Sequence, residues 1–258
     1  MLHTRIPLPE TGVNLVTYLT DNRAVEEDRL RPLVLVFPGG GYEFRSDREA
    51  EPVALRLLSL GVNAIVVEYS IAPARYPQAL REAAEAVAYA RAHAEEWCCD
   101  PYKIAVMGFS AGGHAAAHIG VKWQDMPQGA ACRPDAMILS YPVITAGEHA
   151  HRGSFRALLG EQHDALCGAV SLENLVTPAA PPAFLWHTWE DELVPVENSL
   201  LFAAALRRCG IPCEMHIWQH GMHGLSLSSD QVYPWKDGKY RPEAACWIDM
   251  AVRWLGQL

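Results

Sequence analysis

The stretch Lys103-Ile104-Ala105-Val106-Met107-Gly108-Phe109-Ser110-Ala111-Gly112-Gly113-His114 constrains this chain more than any other. A short apolar run with the composition of a buried strand passes into Gly-x-Ser-x-Gly, and then into small residues able to open a helix. The pattern predicts a serine on a tight, strained strand-to-helix turn, with its hydroxyl standing clear of the sheet. Side chains at positions 108 and 112 are expected to collide with the neighbouring helix and strand, which is why both are glycine. Small Ala111 and Gly113 let the helix begin close to the sheet, its N-terminal amides and positive dipole end near Ser110. Gly and Ser are also ordinary turn residues, so five positions alone decide little and the surroundings must carry the motif.

Those surroundings alternate between strand and helix. Val13, Leu15, Thr17 and Leu19 share one face of a period-2 pattern, as in an antiparallel edge strand, and the charged segment 21–31 is expected to be a solvated loop. Residues 32–37 are continuously apolar and β-branched, as in a parallel strand covered on both sides, and end in Pro38-Gly39-Gly40-Gly41-Tyr42. A helix capped by Ser46 or Asp47 and stopped by Gly61 follows, then a second buried strand at 64–69. An alanine-rich helix is predicted over 77–97, broken at Asp100-Pro101 before the strand that carries the serine. The serine's own helix should run over 111–121, and another strand over 136–140. Recurrent strand and helix imply a parallel sheet with right-handed crossovers. The rhythm resumes with a strand at 183–187, a helix at 196–209, a last strand at 212–218 and an amphipathic helix at 242–258 with Ala245, Ile248, Val252 and Leu255 on one stripe. Residues 143–182 interrupt it, too long for an ordinary connection, and are a candidate lid or substrate wall within a single domain spanning 1–258.

Composition closes off several classes. With 258 residues and 50% hydrophobic content the chain can bury a large core, and a net charge of −9 opposes nucleic acid or an anionic membrane as partner. The N-terminus lacks the apolar core of a signal peptide and no apolar run approaches a membrane span, so a cytoplasmic protein is expected. The seven cysteines (98, 99, 132, 167, 209, 213 and 246) have no Cys-x-x-Cys spacing and are expected to be reduced thiols, mostly buried or at helix ends.

A serine hydroxyl is a poor nucleophile at neutral pH and needs a base and an orienting acid. Asp191 follows the strand ending at His187, flanked by Glu190 and Glu192; Asp-x-x-Val-Pro places it just before the next helix and favours it over its neighbours. His223 follows the last strand, and Gly224 beside it leaves room for close approach, which favours it over His220. Backbone amides of Ala111 and of Gly40 or Gly41 could hold a developing oxyanion. The glycine loop is followed by no Gly-Lys-Ser/Thr, so nucleotide binding is not expected. His114 and His118 stand four apart on the serine's helix without an acidic third ligand, and are expected to pack rather than bind metal. His149 and His151, in the insertion, are equally candidates for substrate contact or for exposed loop positions.

With these residues in place the chain resembles the α/β-hydrolase superfamily over nearly its whole length, an α/β fold with a mostly parallel central sheet and helices on both faces. More narrowly, it is similar to the bacterial esterase and acetylesterase branch, related to hormone-sensitive-lipase-like and acetyl xylan esterase proteins. Pro-Gly-Gly-Gly-Tyr, Gly-Phe-Ser-Ala-Gly-Gly-His, Asp191 with Val194-Pro195, and His223-Gly224-Leu225-Ser226 carry the likeness. The resemblance implies a Ser110, His223, Asp191 triad, an oxyanion hole from the glycine loop and Ala111, and hydrolysis of short-chain, especially acetyl, esters without metal or cofactor. Pro38 departs from the His-Gly-Gly-Gly of lipase-like relatives, so their hydrogen bonding around the loop does not transfer. Acetylated carbohydrates are candidate substrates, since Trp186 and Trp189 near the acid loop could stack on sugar faces, although most of the eight tryptophans are expected in the core. A homo-oligomer is compatible with the sequence. Competing expectations are a prolyl-oligopeptidase-like peptidase, disfavoured by the missing propeller, and a non-catalytic binding module, disfavoured by the complete set of three residues.

Overall fold

Strand β3 (Arg31–Phe37) shows how the sheet is buried. Leu33, Leu35 and Phe37 enter one apolar cluster and Val34 and Val36 the other, all without solvent exposure. A strand covered on both faces has no polar side to present, which explains its unbroken apolar sequence. The same division recurs in β4 (Asn63–Val67), β5 (Cys99–Phe109), β6 (Ala136–Ser140) and β7 (Ala183–Thr188).

The computed structural model describes residues 1–20, 30–233, 238 and 241–258. Adding β1 (Arg5–Pro7), β2 (Asn14–Tyr18) and β8 (Cys213–Trp218) gives an eight-stranded sheet in the order β1-β2-β4-β3-β5-β6-β7-β8. Six strands, β4 to β8 in this order, run parallel; β1 and β2 pair antiparallel with each other and β2 antiparallel with β4. Helices α2 (Gln78–Ala92), α3 (Ala111–Lys122) and α6 (Glu197–Arg208) bury their apolar residues on one face. Helices α1 (Glu51–Ser59) and α7 (Trp247–Leu255) cover the other. The mostly parallel sheet with helices on both faces is thus the expected one. Its strand order reverses between β3 and β5, where the diverging loops leave a crevice beyond the strands' carboxyl ends.

Several local expectations change. The strand expected at the sheet edge is second in the sheet, because β1 pairs outside it with Ile6 opposite Leu15; three residues are too few to show a period. Of the segment 21–31, residues 21–29 lie outside the described residues and Arg31 already belongs to β3. Asp100 and Pro101 do not precede β5 but lie within it, where the pairing with β3 slips between Arg31 and Leu33. A proline lacking its N–H is tolerated at such an interruption. Ser46 makes no capping bond; a short turn of 3₁₀ helix at Asp47–Glu49 precedes α1 instead. Residues 143–182 carry α4 (Arg152–Leu159) and α5 (His163–Val170) between β6 and β7. All seven cysteines are free thiols, but only Cys99 and Cys132 are buried, and Cys213 and Cys246 are exposed. Among the described residues no helix is long and apolar enough to cross a membrane.

His114 and His118 pack inside α3 as expected. His114 Nε2 lies 2.9 Å from the Val170 carbonyl, which can only accept, and Nδ1 lies 2.8 Å from Tyr42 Oη, so the ring is the neutral Nε2–H tautomer. Burial pulls its pKa from 6.5 to about 4, against the opposing pull of the Val170 bond.

Two outcomes follow from this packing. A Cβ on Gly112 would overlap the backbone carbonyls of Phe37 and Pro38, whereas one on Gly168 in α5 meets nothing within 4 Å. Gly112→Ala is therefore expected to lose at least the ~1–3 kcal/mol typical of overpacking, and Gly168→Ala to be neutral or to gain about 0.4–1 kcal/mol, both measured by urea unfolding. Between pH 6.5 and about 4 the unfolded chain binds a proton at His114 that the folded chain refuses, so stability falls as pH falls through this window. The Tm of wild type should drop more steeply from pH 7 to pH 4.5 than that of His114→Gln; equal slopes would contradict the assignment.

Candidate active site

Ser110 joins β5 to α3 with φ 52° and ψ −119°, a conformation that an L residue holds only where its surroundings impose it. Here they do. A Cβ on Gly108 would overlap the Gly112 carbonyl, and one on Gly113 would lie 2.8 Å from Pro142 Cβ, so strand, turn and helix approach as closely as backbones allow. The Ser110 amide donates to the Ser140 carbonyl at 3.1 Å, and its carbonyl accepts from Val143 at 3.0 Å. The hydroxyl is left facing the crevice.

The structure brings Ser110, His223 and Asp191 together. His223 Nε2 lies 2.7 Å from Ser110 Oγ and its Nδ1 lies 2.6 Å from Asp191 Oδ2. Asp191 Oδ1 accepts from the amides of Leu193 at 3.1 Å and Val194 at 2.9 Å. Burial alone would raise this carboxyl, but hydrogen bonds from His187 and His223, and from the Val194 amide, hold it well below the usual carboxylate range. An ionised carboxylate only accepts, so Nδ1 of His223 carries the proton and Nε2 is left to accept from Ser110. The alternatives in the two loops find each other instead: Glu190 Oε1 and His220 Nδ1 pair at 2.7 Å on the surface, and Glu192 is exposed.

Opposite the histidine lies the loop after β3. The Gly39 amide donates to Glu49 Oε2 at 2.8 Å, and the Pro38 carbonyl accepts from Tyr69 Oη at 2.6 Å, so Pro38 serves as an acceptor. Gly40, at φ 126°, turns the chain so that its carbonyl accepts from Glu43 and Phe44. The amides of Gly40, Gly41 and Ala111 donate to no acceptor among the described residues. Gly40, Gly41, Ser110 and His223 line one cleft of about 280 Å³.

Three supporting residues were not singled out in the sequence. Glu49 is buried, and its second oxygen accepts from Tyr141 Oη at 2.7 Å; that hydroxyl in turn accepts from the Ser226 amide at 2.8 Å. Burial, reinforced by Glu49, pushes the Tyr141 phenol well above its ordinary range and keeps it a donor. The Tyr141 ring also stands edge-on to His223 at 5.0 Å. His187, buried at the end of β7, lies 3.3 Å from Asp191 Oδ2 and 2.9 Å from the Val194 carbonyl, with Ser199 Oγ 2.8 Å from its other nitrogen. Only its place at the end of a strand beside the acid loop could have pointed to it; nothing in sequence pairs Glu49 with Tyr141, 92 residues away.

Trp186 cannot stack on a ligand. It is fully buried, donates to Ser140 Oγ at 2.7 Å and stacks on Trp247 at 5.2 Å. Trp189 is 63% exposed but is not among the residues lining the cleft. Phe44, 58% exposed, is. His151 lines the cleft too, whereas His149 does not. Among the described residues, no three His, Cys, Asp or Glu side chains gather as metal ligands.

The chain is similar to several known proteins. The sequence profile of the family described as BD-FAE matches residues 22–206. Endo-1,4-beta-xylanase B of Butyrivibrio fibrisolvens is 38% identical over 242 residues, 89% of this chain and 37% of the relative. An acetylxylan esterase of Xylanibacter ruminicola is 31% identical over 74% of this chain and 40% of its own length. The chain thus spans about two-fifths of the length of these two relatives. The crystal structure of an acetyl ester-xyloside bifunctional hydrolase from Caldicellulosiruptor lactoaceticus superposes with a TM-score of 0.86 at 40% identity, covering 99% of this chain and 96% of the other.

Glu49 gives the geometry a test of its own. Glu49→Gln keeps the size but leaves one carbonyl oxygen to serve both Gly39 and Tyr141, so one buried donor goes unsatisfied. A loss of about 1–3 kcal/mol is expected on urea unfolding; a stability equal to wild type would mean that the carboxylate does not hold the two loops.

Proposed function

The chain belongs to the BD-FAE family, in the esterase branch of the α/β-hydrolases, and from that premise we propose that it is a serine carboxylesterase acting on short acyl, above all acetyl, esters. The observation that carries the proposal is the 2.7 Å contact between Ser110 Oγ and His223 Nε2 at the wall of an open cleft. Ser110 attacks the ester carbonyl while its proton passes to Nε2 of His223. The imidazolium that forms is held by Asp191, whose carboxylate stays ionised because its partners favour the charged form. Negative charge gathers on the carbonyl oxygen, and the amides of Ala111 and of Gly40 or Gly41 are the donors assigned to it. The proton on His223 then goes to the departing alcohol oxygen. Water, deprotonated by His223, attacks the acyl-serine and releases the carboxylic acid with Ser110 restored.

The cleft volume favours a small acyl group. At about 280 Å³ the whole cleft, acyl and alcohol sides together, lies below the usual range for larger ligands. We assign the alcohol to acetylated sugars such as xylo-oligosaccharides, a choice supported by the names of the relatives, an acetylxylan esterase and an acetyl ester-xyloside hydrolase. Residues 143–182 are assigned as a wall of the cleft, through His151.

Turnover of para-nitrophenyl acetate, butyrate and octanoate, together with acetate release from acetylated xylo-oligosaccharides, tests the proposal. Acetyl esters should be preferred, and Ser110→Ala should lower kcat by on the order of 10⁶. Normal turnover in Ser110→Ala would reject the mechanism, and a preference for octanoate would reject the acyl assignment.

A further inference from the structure

Among the residues lining the cleft, Phe44, Glu43 and His151 have side chains that the chemistry above does not use. Phe44 keeps 58% of its surface in water although it lies on a cavity wall. Single exposed apolar side chains are common. This one is held in place by its amide, which donates to the Gly40 carbonyl at 3.1 Å, so the ring is carried by the same loop as the glycines beside Ser110. Glu43 is its chain neighbour, exposed, and its carboxylate accepts no hydrogen bond among the described residues.

His151 is the more informative of the three. It caps α4: the Ser154 amide donates to its Nδ1 at 3.3 Å, and Ser154 Oγ lies 2.7 Å from the same atom. An amide can only donate, so Nδ1 is unprotonated and the ring proton sits on Nε2. That Nε2–H has no acceptor among the described residues, and the ring lines the cleft. Protonation would break the cap, and burial, followed by the nearness of His223, lowers the pKa of His151 accordingly. The ring is therefore a fixed neutral donor.

We propose that Phe44, Glu43 and His151 form the subsite for the alcohol portion of the ester and are the residues that select a polyhydroxylated ring there. An aromatic face meets the C–H face of a sugar, a carboxylate accepts from its hydroxyls, and a single N–H donates to an oxygen of the ring or of the glycosidic link. A plain alkyl alcohol would cover the half-buried Nε2–H without giving it an acceptor, which is how a polar site rejects a ligand lacking hydroxyls, while the exposed Glu43 would keep its water. The proposal rests on ester hydrolysis at Ser110, and adds to it the residues that choose the alcohol.

The test uses Phe44→Ala and His151→Asn. Asparagine can still cap α4 through its side-chain oxygen while removing the Nε2–H. Hydrolysis of acetylated xylo-oligosaccharides is compared with that of ethyl acetate, whose alcohol is too small to span the subsite. Each variant should lower the ratio of kcat/KM for the sugar ester to that for ethyl acetate by about tenfold, chiefly through KM. An unchanged ratio in both variants overturns the subsite while leaving the esterase intact. Failure of the wild-type protein to hydrolyse either ester, with no reaction of Ser110 with a fluorophosphonate, overturns the esterase reading instead.

Discussion

The site depends on how closely β5, α3 and the end of β3 approach one another. Gly112 lies against the carbonyls of Phe37 and Pro38, and Gly108 against the carbonyl of Gly112, with no room for a single carbon at either position. This contact fixes the turn between strand and helix, and so the dihedral angles of Ser110. It also sets the glycine loop after β3 beside the N-terminus of α3, since that loop begins at Pro38. The turn at Ser110 and the placing of the candidate oxyanion donors are thus two results of one packing constraint, at the place where the order of strands reverses.

A second constraint joins this half of the site to the other. Glu49 is a buried carboxylate whose oxygens are divided between Gly39, in the loop beside Ser110, and Tyr141, which accepts from Ser226 in the loop beyond His223. A buried charge persists where its lone pairs are satisfied by donors that have no better partner. Asp191 follows the same rule with the amides of Leu193 and Val194 and two imidazoles. Each acid holds a loop by accepting from its backbone, so positioning and charge stabilisation are the same set of bonds.

The parts of the molecule legible in sequence are those set by local pattern. Buried strands read as apolar runs, the turn at Ser110 as its glycines, and Asp191 and His223 as polar residues just past strand ends. The members of the Glu49, Tyr141 and Ser226 chain carry no local signature, because a buried acid and a surface acid are the same letter until the fold brings a donor to one of them. Trp186 was open to two readings for the same reason: its ring is at once the end of a strand and the filling between Ser140 and Trp247. Phe44 carries no signal in sequence because a phenylalanine four positions beyond Gly40 looks like any core residue, and only the turn at Gly40 leaves it in water. The three-residue β1 exists through pairing alone.

The distance along the chain between Ser110 and His223, 113 residues, has a bearing on how the protein comes into being. At ribosomal rates of about 5–20 residues per second, the serine emerges roughly 6–23 s before the histidine it bonds to. Through that interval the nascent chain carries the glycine turn and the loop after β3, but the hydroxyl has no base and Tyr141 has no amide from Ser226. The serine proposed as nucleophile therefore has no base through this interval, and gains its partner only once the last strand of the sheet has been made.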